Sequence, residues 1–388
     1  MGYFELRRRS IPSTRPARHG GNITSSFVQL ASPATVARRK HTLASNKVGR
    51  CLGREHCLFR PPPTILLLMR WPLILFLFLA ATACRSSRPE QPPLSPGVLR
   101  PDGAAFLFSV ANGETCFLYE ANIASGAMHR LTRANTGCES DPTFSADGHQ
   151  LAFMFARERG ARAALILANP DGTSQRTLVS SAEDNFQPVF VPHSNRILFL
   201  RSEVFGHSSP LVNNRRHKID LFSADLASGD VTQITQQKFY ECGHVAVSAD
   251  GRRIILSVNT YPEGSHFLIL PADGTGTTMQ SLQPAVANAP SPPEVYNASF
   301  LPDGRSIIFS AAAQPPTGNF DYNVYRLDIA SGAMGKLTAG SGLLDSLSAS
   351  ADGKTAVLLR QGVYSILDLA THHLTTVPIR LHNVLRSF

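Results

Sequence analysis

The chain has 388 residues, of which 43% are hydrophobic and 17% charged, and its formal net charge is +9. A chain of this length can bury an extensive core, which excludes a disulfide-stabilised mini-protein, and its apolar fraction excludes disorder throughout. Its single apolar stretch near residue 75 also excludes a membrane protein of several spans.

The positive charge is concentrated at the amino-terminal end. Residues 1–68 contain twelve Lys or Arg and two acidic residues, whereas residues 69–388 carry 25 basic and 26 acidic groups. Because the longer part has no surplus positive charge with which to build a basic face, we expect no nucleic-acid partner. We interpret residues 1–68 as a disordered or mis-annotated leader, with translation beginning at Met69; an organellar transit peptide is the alternative.

Residues 69–83 have the layout of a secretory signal peptide, with a positive charge, an apolar run and then small residues. The following string Ala81-Thr82-Ala83-Cys84 resembles the lipobox of bacterial lipoproteins and so predicts lipidation of Cys84. An ordinary signal followed by a chance cysteine, or an uncleaved anchor over residues 64–83, are the alternatives. Residues 84–96 form a Pro-rich, extended tether that would hold the next domain near a membrane.

From residue 97 onward the sequence repeats itself, with an apolar strand, a tight turn and a second apolar strand in each copy. Asp-Gly in the turn favours a tight reversal between antiparallel strands. The third copy lacks the Gly, so we expect a different type of turn there. The turns are Pro101-Asp102-Gly103, Ala146-Asp147-Gly148, Pro192-His193-Ser194, Ala249-Asp250-Gly251, Pro302-Asp303-Gly304 and Ala351-Asp352-Gly353.

The residues four and six positions after the turn's Asp are apolar in every copy, which predicts a buried strand face. Three copies also share a second turn with the sequence Ala-Ser-Gly, each followed six residues later by a Thr, at Thr132, Thr235 and Thr338. Four short strands per repeat, without helical periodicity, predict an all-β, six-bladed β-propeller of four-stranded antiparallel blades over residues 97–381. We place the blades at about 97–132, 139–179, 185–235, 242–282, 295–338 and 345–379, and a carboxy-terminal tail at 382–388.

The strings Asp141-Pro-Thr-Phe-Ser-Ala-Asp-Gly148 and Phe300-Leu-Pro-Asp-Gly-Arg-Ser-Ile-Ile-Phe309 resemble the repeats of the TolB-like six-bladed β-propeller family. The resemblance covers nearly three quarters of the chain and implies the propeller fold. In that family a sizeable α/β domain precedes the propeller, whereas here we expect only the tether between Cys84 and the first blade.

Catalytic motifs are sparse in the sequence. The string Gly206-His-Ser-Ser-Pro210 departs from a Gly-x-Ser-x-Gly nucleophile elbow at its last position, and a His-Glu-x-x-His zinc motif is absent. We place His372 and His373 on a strand, with one side chain exposed and the other packed, rather than on a metal. We therefore predict no catalytic residues, no metal and no cofactor.

Three cysteines follow Cys84 in the chain: Cys116, Cys138 and Cys242. If Cys84 is lipidated, the odd number leaves at least one free thiol or an intermolecular bond. Cys116 and Cys138 lie in neighbouring predicted blades, so a disulfide between them is possible, but sequence spacing alone does not establish its geometry.

Long connections between the second and third strands, at residues 202–218, 259–265 and 311–322, are expected on one face of the propeller. Insertions on one rim are typical of a recognition surface, and Arg and aromatic residues are favoured interface anchors. The candidate partner-binding residues on this rim are Phe205, Arg215, Arg216, His217, Tyr261, Phe320, Asp321 and Tyr322. Acids from the loops that lead toward the channel, which could hold a cation or a basic peptide, are Glu139, Asp141, Asp184, Glu241, Glu294 and Asp345.

The sequence therefore predicts an exported, membrane-tethered, monomeric propeller that binds protein or peptide partners at the bacterial cell envelope, as a periplasmic or cell-surface lipoprotein. The alternative is a propeller enzyme, either a carbohydrate-acting enzyme or another hydrolase or lyase, with its site in the acid-lined funnel.

Overall fold

The computed structural model describes residues 94–133, 136–180, 182–206, 215–260, 263–274, 279–289, 294–313 and 321–379. The leader, the signal sequence and Cys84 lie outside these residues. All of the described residues belong to one compact unit, Cys84–Phe388. None of them forms a helix that is long and apolar enough to cross a membrane.

The described residues form an all-β propeller of four-stranded antiparallel blades. Four blades are separate sheets. They are β9 (Asp184–Phe190), β10 (Arg196–Gly206), β11 (Arg215–Asp225) and β12 (Val231–Gln233); β13 (Glu241–Val247), β14 (Arg253–Thr260), β15 (Gly264–Pro271) and β16 (Gln280–Leu282); β17 (Val295–Phe300), β18 (Ser306–Ala313), β19 (Asp321–Asp328) and β20 (Met334–Lys336); β21 (Leu344–Ala349), β22 (Thr355–Arg360), β23 (Val363–Asp368) and β24 (Leu374–Thr376).

The first eight strands form one larger sheet, in which two antiparallel sets of four meet at a single parallel pair, Cys116 opposite Cys138. A disulfide joins the same two residues, whose Cα atoms are 4.1 Å apart, and leaves Cys242 as a buried free thiol. The first set is β1 (Val98–Leu99), β2 (Ala105–Asn112), β3 (Thr115–Asn122) and β4 (Met128–Arg130). The second set is β5 (Cys138–Phe144), β6 (Leu151–Ala156), β7 (Ala163–Ala168) and β8 (Arg176–Val179).

The turn between the first two strands has the same hydrogen bonds in all five Asp-Gly copies. At Asp250, for example, the carboxylate accepts the Arg252 N–H at 3.1 Å, and the Gly251 N–H donates to the Ser248 carbonyl at 2.8 Å. Gly251 has a φ of 70°, and a Cβ there would lie 2.3 Å from the Pro192 carbonyl oxygen, so glycine is required at this position.

The third copy of the turn differs, as predicted. His193 takes the positive φ, at 59°, one position earlier than the glycines do. The Ser194 hydroxyl replaces the Asp carboxylate, because it accepts the Arg196 N–H at 3.3 Å and donates to the Val191 carbonyl at 2.9 Å.

The prediction for His372 and His373 is wrong. His372 lies in the turn between β23 and β24, with a φ of 61°, and its N–H donates to the Asp368 carbonyl at 2.9 Å. It therefore occupies the place that Gly229 and Gly332 hold in other blades. Both histidines are exposed, because a turn, unlike a strand, does not direct neighbouring side chains to opposite faces.

Both faces of each second strand are buried between neighbouring sheets. Phe108 and Phe153, six positions after the Asp of their turns, are fully buried. Phe108 faces the last blade, and Phe153 faces the first set of strands. Leu107 and Ala152, on the opposite faces of the same strands, each face the following set. The last blade packs on the first set of strands through Tyr364, whose ring centroid lies 4.8 Å from that of Phe106 and 5.1 Å from that of Phe108. The core thus runs continuously around the propeller axis.

The predicted loop at 202–218 needs correction. Strands β10 and β11 pair from Arg196 and Asp225 out to Gly206 and Arg215, so both flanks of this segment are a long hairpin. The flanks of the other two connections are also strands, because paired main chains extend to Thr260 and Gly264 and to Ala313 and Asp321. Antiparallel pairing satisfies the backbone groups that an open loop would leave to water.

Candidate functional site

The candidate site is a central channel, a cavity of about 180 Å³ lined by the first strand of every set of four. In each repeat, the residue six positions before the turn's Asp, or before His193 in the third copy, lines the channel, and together these residues form a ring. These residues are Pro96, Asp141, Gln187, His244, Asn297 and Ser346. The lining of small and apolar side chains beside this ring includes Val98, Thr143, Val189, Ala246, Ser299 and Ser348.

Irregular pairing directs the ring residues into the channel. The register shifts within or beside β5, β9, β13, β17 and β21 at this point, as it does at a β-bulge, which re-aims a side chain. Asp141, Gln187 and Asn297 have φ values of 49°, 48° and 56° there. Such a conformation is uncommon outside glycine, and Asn and Asp tolerate it better than most residues.

Gln187 links three neighbouring sets of strands at the ring. Its backbone N–H donates to Asp141 Oδ2 at 3.3 Å, and its Nε2 donates to the Gly243 carbonyl at 2.5 Å. Its Oε1 is buried and has no hydrogen-bond partner. His244 Nε2, also on this ring, is likewise buried without a partner. The ring therefore presents uncompensated polar atoms, each of which has a free-energy cost unless a ligand or water pairs with it.

Burial shifts the pKa values of two ring residues, His244 and Asp141. Desolvation lowers the pKa of His244 to about 4, so the imidazole is neutral at pH 7. Desolvation raises the pKa of Asp141, against the opposing effects of the nearby Arg216 charge and the Gln187 N–H. One carboxyl group with a raised pKa and one neutral imidazole thus line the same channel.

The predicted rim and the predicted funnel acids meet in pairs at the channel face. Arg216 Nε lies 2.7 Å from Asp184 Oδ2, and a second guanidinium nitrogen lies 3.2 Å from Oδ1. The Arg216 guanidinium also stacks 4.3 Å from the Phe186 ring centroid. Asp184 is buried, and this bidentate pair ties the connection end of the β10–β11 hairpin to the start of β9.

Similar pairs occur in the next two blades. Asn259 Nδ2 donates to Glu241 Oε2 at 3.4 Å, and the Tyr322 hydroxyl donates to Glu294 Oε2. Burial and the Glu294 contact raise the pKa of Tyr322, so its hydroxyl stays protonated. Asp321 Oδ1 accepts the Gly342 N–H at 3.2 Å and so ties the start of β19 to the loop before β21.

Two of the predicted acids are engaged by neighbouring backbone. Glu139 is 1% exposed, and its Oε2 accepts the Thr132 hydroxyl and, at 3.3 Å, the Leu118 N–H. Burial raises the pKa of Glu139, and burial also raises the pKa of Asp345, whose Oδ2 accepts the Gln361 N–H at 3.1 Å. Glu139 stabilises a connection between two sets of strands rather than presenting a charge to the funnel.

An aromatic pair lies on the same face. The His217 and Tyr240 ring centroids are 4.8 Å apart, and His217 Nδ1 lies 3.2 Å from the Tyr240 carbonyl oxygen. Tyr240 is 59% exposed, so most of its ring is accessible to a partner. Tyr261, Phe320 and the side chains of Phe205 and Arg215 lie outside the part of the chain whose placement is described.

The sequence prediction identified Asp141 but missed the rest of the polar ring. Gln187, His244, Asn297 and Ser346 share its offset from the turn, so aligning the repeats would have found them. These four residues are neutral and of different types, so acidity does not mark them in the sequence. Among the described residues, no group of three His, Cys, Asp or Glu is arranged to hold a metal ion.

No protein-family profile and no curated protein sequence matches the chain. Solved structures do match. TolB from Acinetobacter baumannii is 16% identical over 74% of this chain, with a TM-score of 0.52. The match spans 63% of that TolB chain, so this protein is similar to only part of it.

Two further structures show how widely this fold is used. An oligogalacturonate lyase solved in complex with manganese is 15% identical over 74% of this chain and 76% of its own, with a TM-score of 0.50. A chain of a nidogen/laminin complex is 9% identical over 72% and 94%, with a TM-score of 0.53. At these identities the likeness establishes a TolB-like propeller fold and does not identify an activity.

Proposed function

We propose that this chain is an exported, membrane-tethered, six-bladed propeller that binds a protein or peptide partner at the bacterial cell envelope without catalysing a reaction. The observation that carries the proposal is the grouping, on one face, of the exposed Tyr240, its neighbour His217 and the Arg216–Asp184 pair. Arg216 is near enough to the channel residue Asp141 to affect its ionisation. Tyr and Arg are common anchors of protein interfaces, particularly beside a concave site.

The six-blade count is part of the proposal. The sets β1–β4 and β5–β8 are joined as strands by only one residue pair, Cys116 and Cys138, and an apolar cluster that includes Leu107 and Phe153 packs between them as between any other two blades. The six repeats in the sequence and the six ring residues of the channel support counting these sets as two blades.

Export and anchoring rest on the sequence. The signal-like residues 69–83, the lipobox-like string ending at Cys84 and the Pro-rich tether support a lipoprotein, and TolB-like neighbours are consistent with an exported protein. We further propose that residues 1–68 are absent from the mature protein, which is a monomeric propeller. Mass spectrometry of the native protein tests this, because any peptide from residues 1–68 in the mature form would contradict it.

The binding function can be tested by affinity capture of envelope proteins with the Cys84-anchored protein. The informative variant is Tyr240→Ala, because this exposed side chain can be removed without opening the core. If Tyr240 is an interface anchor, the captured partner should bind at least about 10-fold more weakly, which corresponds to about 1.4 kcal/mol.

Leu374→Ala provides the matched control, because Leu374 is an exposed apolar residue on the outer strand β24. A second variant replaces residues 207–214 by Gly-Gly and so removes the tip of the β10–β11 connection while retaining the paired strands. A partner that binds wild type, Tyr240→Ala and the trimmed hairpin equally would refute this recognition surface.

The alternative is a carbohydrate-acting enzyme or another hydrolase or lyase, favoured by the neutral His244 and the carboxyl group of Asp141 in one channel. An enzyme predicts turnover of a substrate that Asp141→Asn or His244→Gln abolishes. A binding module predicts that the same variants alter binding and leave no turnover to lose.

A further inference from the structure

The channel lining has an unusual charge composition. Its only formally charged side chain is the carboxylate of Asp141, and among the residues that line it there is no Lys or Arg. Arg216 is close enough to affect Asp141, but two of its guanidinium nitrogens are engaged by Asp184. The lining therefore favours a ligand that carries positive charge.

Most polar atoms of the ring that remain unpaired are hydrogen-bond acceptors. Gln187 Nε2 is engaged by the Gly243 carbonyl, which leaves its buried Oε1 as an acceptor without a partner. Asn297 Nδ2 donates to Ser310 Oγ at 3.3 Å, so its amide is oriented with Oδ1 as the remaining acceptor. Asp141 Oδ2 accepts the Gln187 N–H, and its second oxygen remains available for a donor.

His244 adds a further acceptor to this set. Burial keeps its imidazole neutral at pH 7, and a neutral imidazole has one nitrogen with a free lone pair. Its Nε2 is buried without a partner and is the acceptor in the tautomer that carries the proton on Nδ1. His244 lies on the first strand of the set that follows that of Gln187 around the ring. Asp141, Gln187 and His244 thus offer acceptors from three consecutive sets of strands.

We propose that this ring binds a primary ammonium group, carried by a lysine side chain or by the amino terminus of a peptide. An ammonium group has a positive charge and three N–H donors on a narrow stem, which match three acceptors, one of them anionic, in a cavity of about 180 Å³. The inference rests on the proposed function, because it names the chemical group by which a protein or peptide partner would enter the channel.

The test is titration of the mature protein, labelled with ¹⁵N-histidine, by n-butylammonium chloride. The His244 resonances, assigned by their loss in His244→Gln, should shift saturably. Tetramethylammonium, which has charge but no N–H donor, and 1-butanol, which has no charge, should leave them in place. Equal shifts with tetramethylammonium, or no shift with n-butylammonium, would overturn the proposal.

Asp141→Asn should weaken n-butylammonium binding about 10-fold or more, because a charged hydrogen bond is lost. Glu158→Gln is the matched control, since it removes the same charge from an exposed loop beside β6 and should leave binding unchanged. Gln187→Met, which removes an acceptor without changing charge, should also weaken binding. This second variant keeps the test decisive if Asp141→Asn does not fold.

Two probes distinguish the sources of the ammonium group. Nα-acetyl-lysine amide carries it on a side chain, and glycinamide carries it as an amino terminus. Binding of either one supports the site and identifies its source, and binding of neither contradicts it. If a partner still requires Tyr240 while n-butylammonium does not bind, only this inference fails; if n-butylammonium binds but no partner depends on the rim, the proposed function fails instead.

Discussion

Glu139 performs in the first set of strands a hydrogen-bonding role that a polar residue of the third strand performs in other blades. In two blades a Thr hydroxyl joins a polar side chain on the third strand to the next backbone N–H: Thr235 bonds Asp220 at 2.8 Å, and Thr338 bonds Asn323 at 3.1 Å. In the first set of strands Phe117 stands where those polar residues stand. Glu139, on β5 of the second set, supplies the missing acceptor to the Leu118 N–H and the Thr132 hydroxyl. This role explains why Glu139 is buried.

His244 provides a prediction at the same scale. Its pKa is about 4 in the folded protein against an ordinary value of 6.5, so below pH 6.5 the unfolded chain binds the proton more readily. The stability that the neutral, buried imidazole preserves is therefore present above pH 6.5 and is lost as the pH falls toward 4. We expect the free energy of unfolding, measured by urea titration, to fall over this window more steeply for wild type than for His244→Gln.

The comparison with the variant removes the contributions of groups common to both proteins. Asp141 shares the channel and has a raised pKa, so its own effect acts in the opposite direction, favouring the folded state at low pH. Identical pH dependence for wild type and His244→Gln would mean that the imidazole is hydrated and not buried in the channel.

At the scale of elements, the strand connections show what holds neighbouring sheets together. β3 and β5 meet through a strand-to-strand backbone pair and the Cys116–Cys138 disulfide. Backbone hydrogen bonds also join two other places between neighbours, between Ile219 and Phe239 and from the Tyr322 N–H to the Gly342 carbonyl. Both cysteines are buried, and they lie at the start of β3 and β5. The connection between them includes β4 and is anchored by Glu139 and Thr132.

The disulfide should add substantially to stability. It closes a loop with a sequence separation of 22 residues. For a loop of this size, loss of the cross-link costs about 3 kcal/mol of unfolding free energy. We expect dithiothreitol to lower the urea midpoint of the wild type and to leave that of the double variant Cys116→Ala/Cys138→Ala unchanged. A wild-type midpoint that is insensitive to reductant would show that the bond does not form or does not contribute.

At the scale of the whole molecule, the propeller closes through side-chain packing and a side-chain hydrogen bond, without an exchanged strand. The first set of strands and the last blade each consist of consecutive strands, and no strand is exchanged between them among the described residues. Phe106, Phe108 and Tyr364 form the junction, and the Tyr364 hydroxyl donates to the Ser95 carbonyl at 2.5 Å. Closure therefore depends on the same apolar contacts that join any two neighbours.

Phe108→Ala and Phe153→Ala test this equivalence. Both phenylalanines are fully buried six positions after their turns, but Phe108 faces the closing junction and Phe153 an internal one. Truncating a buried Phe typically costs about 3–5 kcal/mol, and we expect similar losses in unfolding free energy at the two positions. A much smaller loss for Phe108→Ala would indicate a junction that opens before the rest of the molecule unfolds.

Much of this fold is encoded locally. The Asp-Gly turns, the altered third turn and the buried positions after each turn follow from backbone conformations and alternation within a few residues. The sequence misplaced His372, because a histidine in the left-handed region gives no signal like that of glycine. The strands of the β10–β11 hairpin continue into a polar segment that resembles a loop in sequence, although its backbone groups are paired.

The sequence by itself determined the repeat, its strands and turns and the neutral balance of the chain after residue 68, since these depend on residues close together. Only the tertiary structure decided what the first strands jointly enclose. Asp141, Gln187 and His244 lie 46 and 57 residues apart in the chain, and the propeller axis brings them to one cavity. Their shared burial, which keeps one imidazole neutral and leaves polar atoms without partners, depends on how the sheets surround that axis.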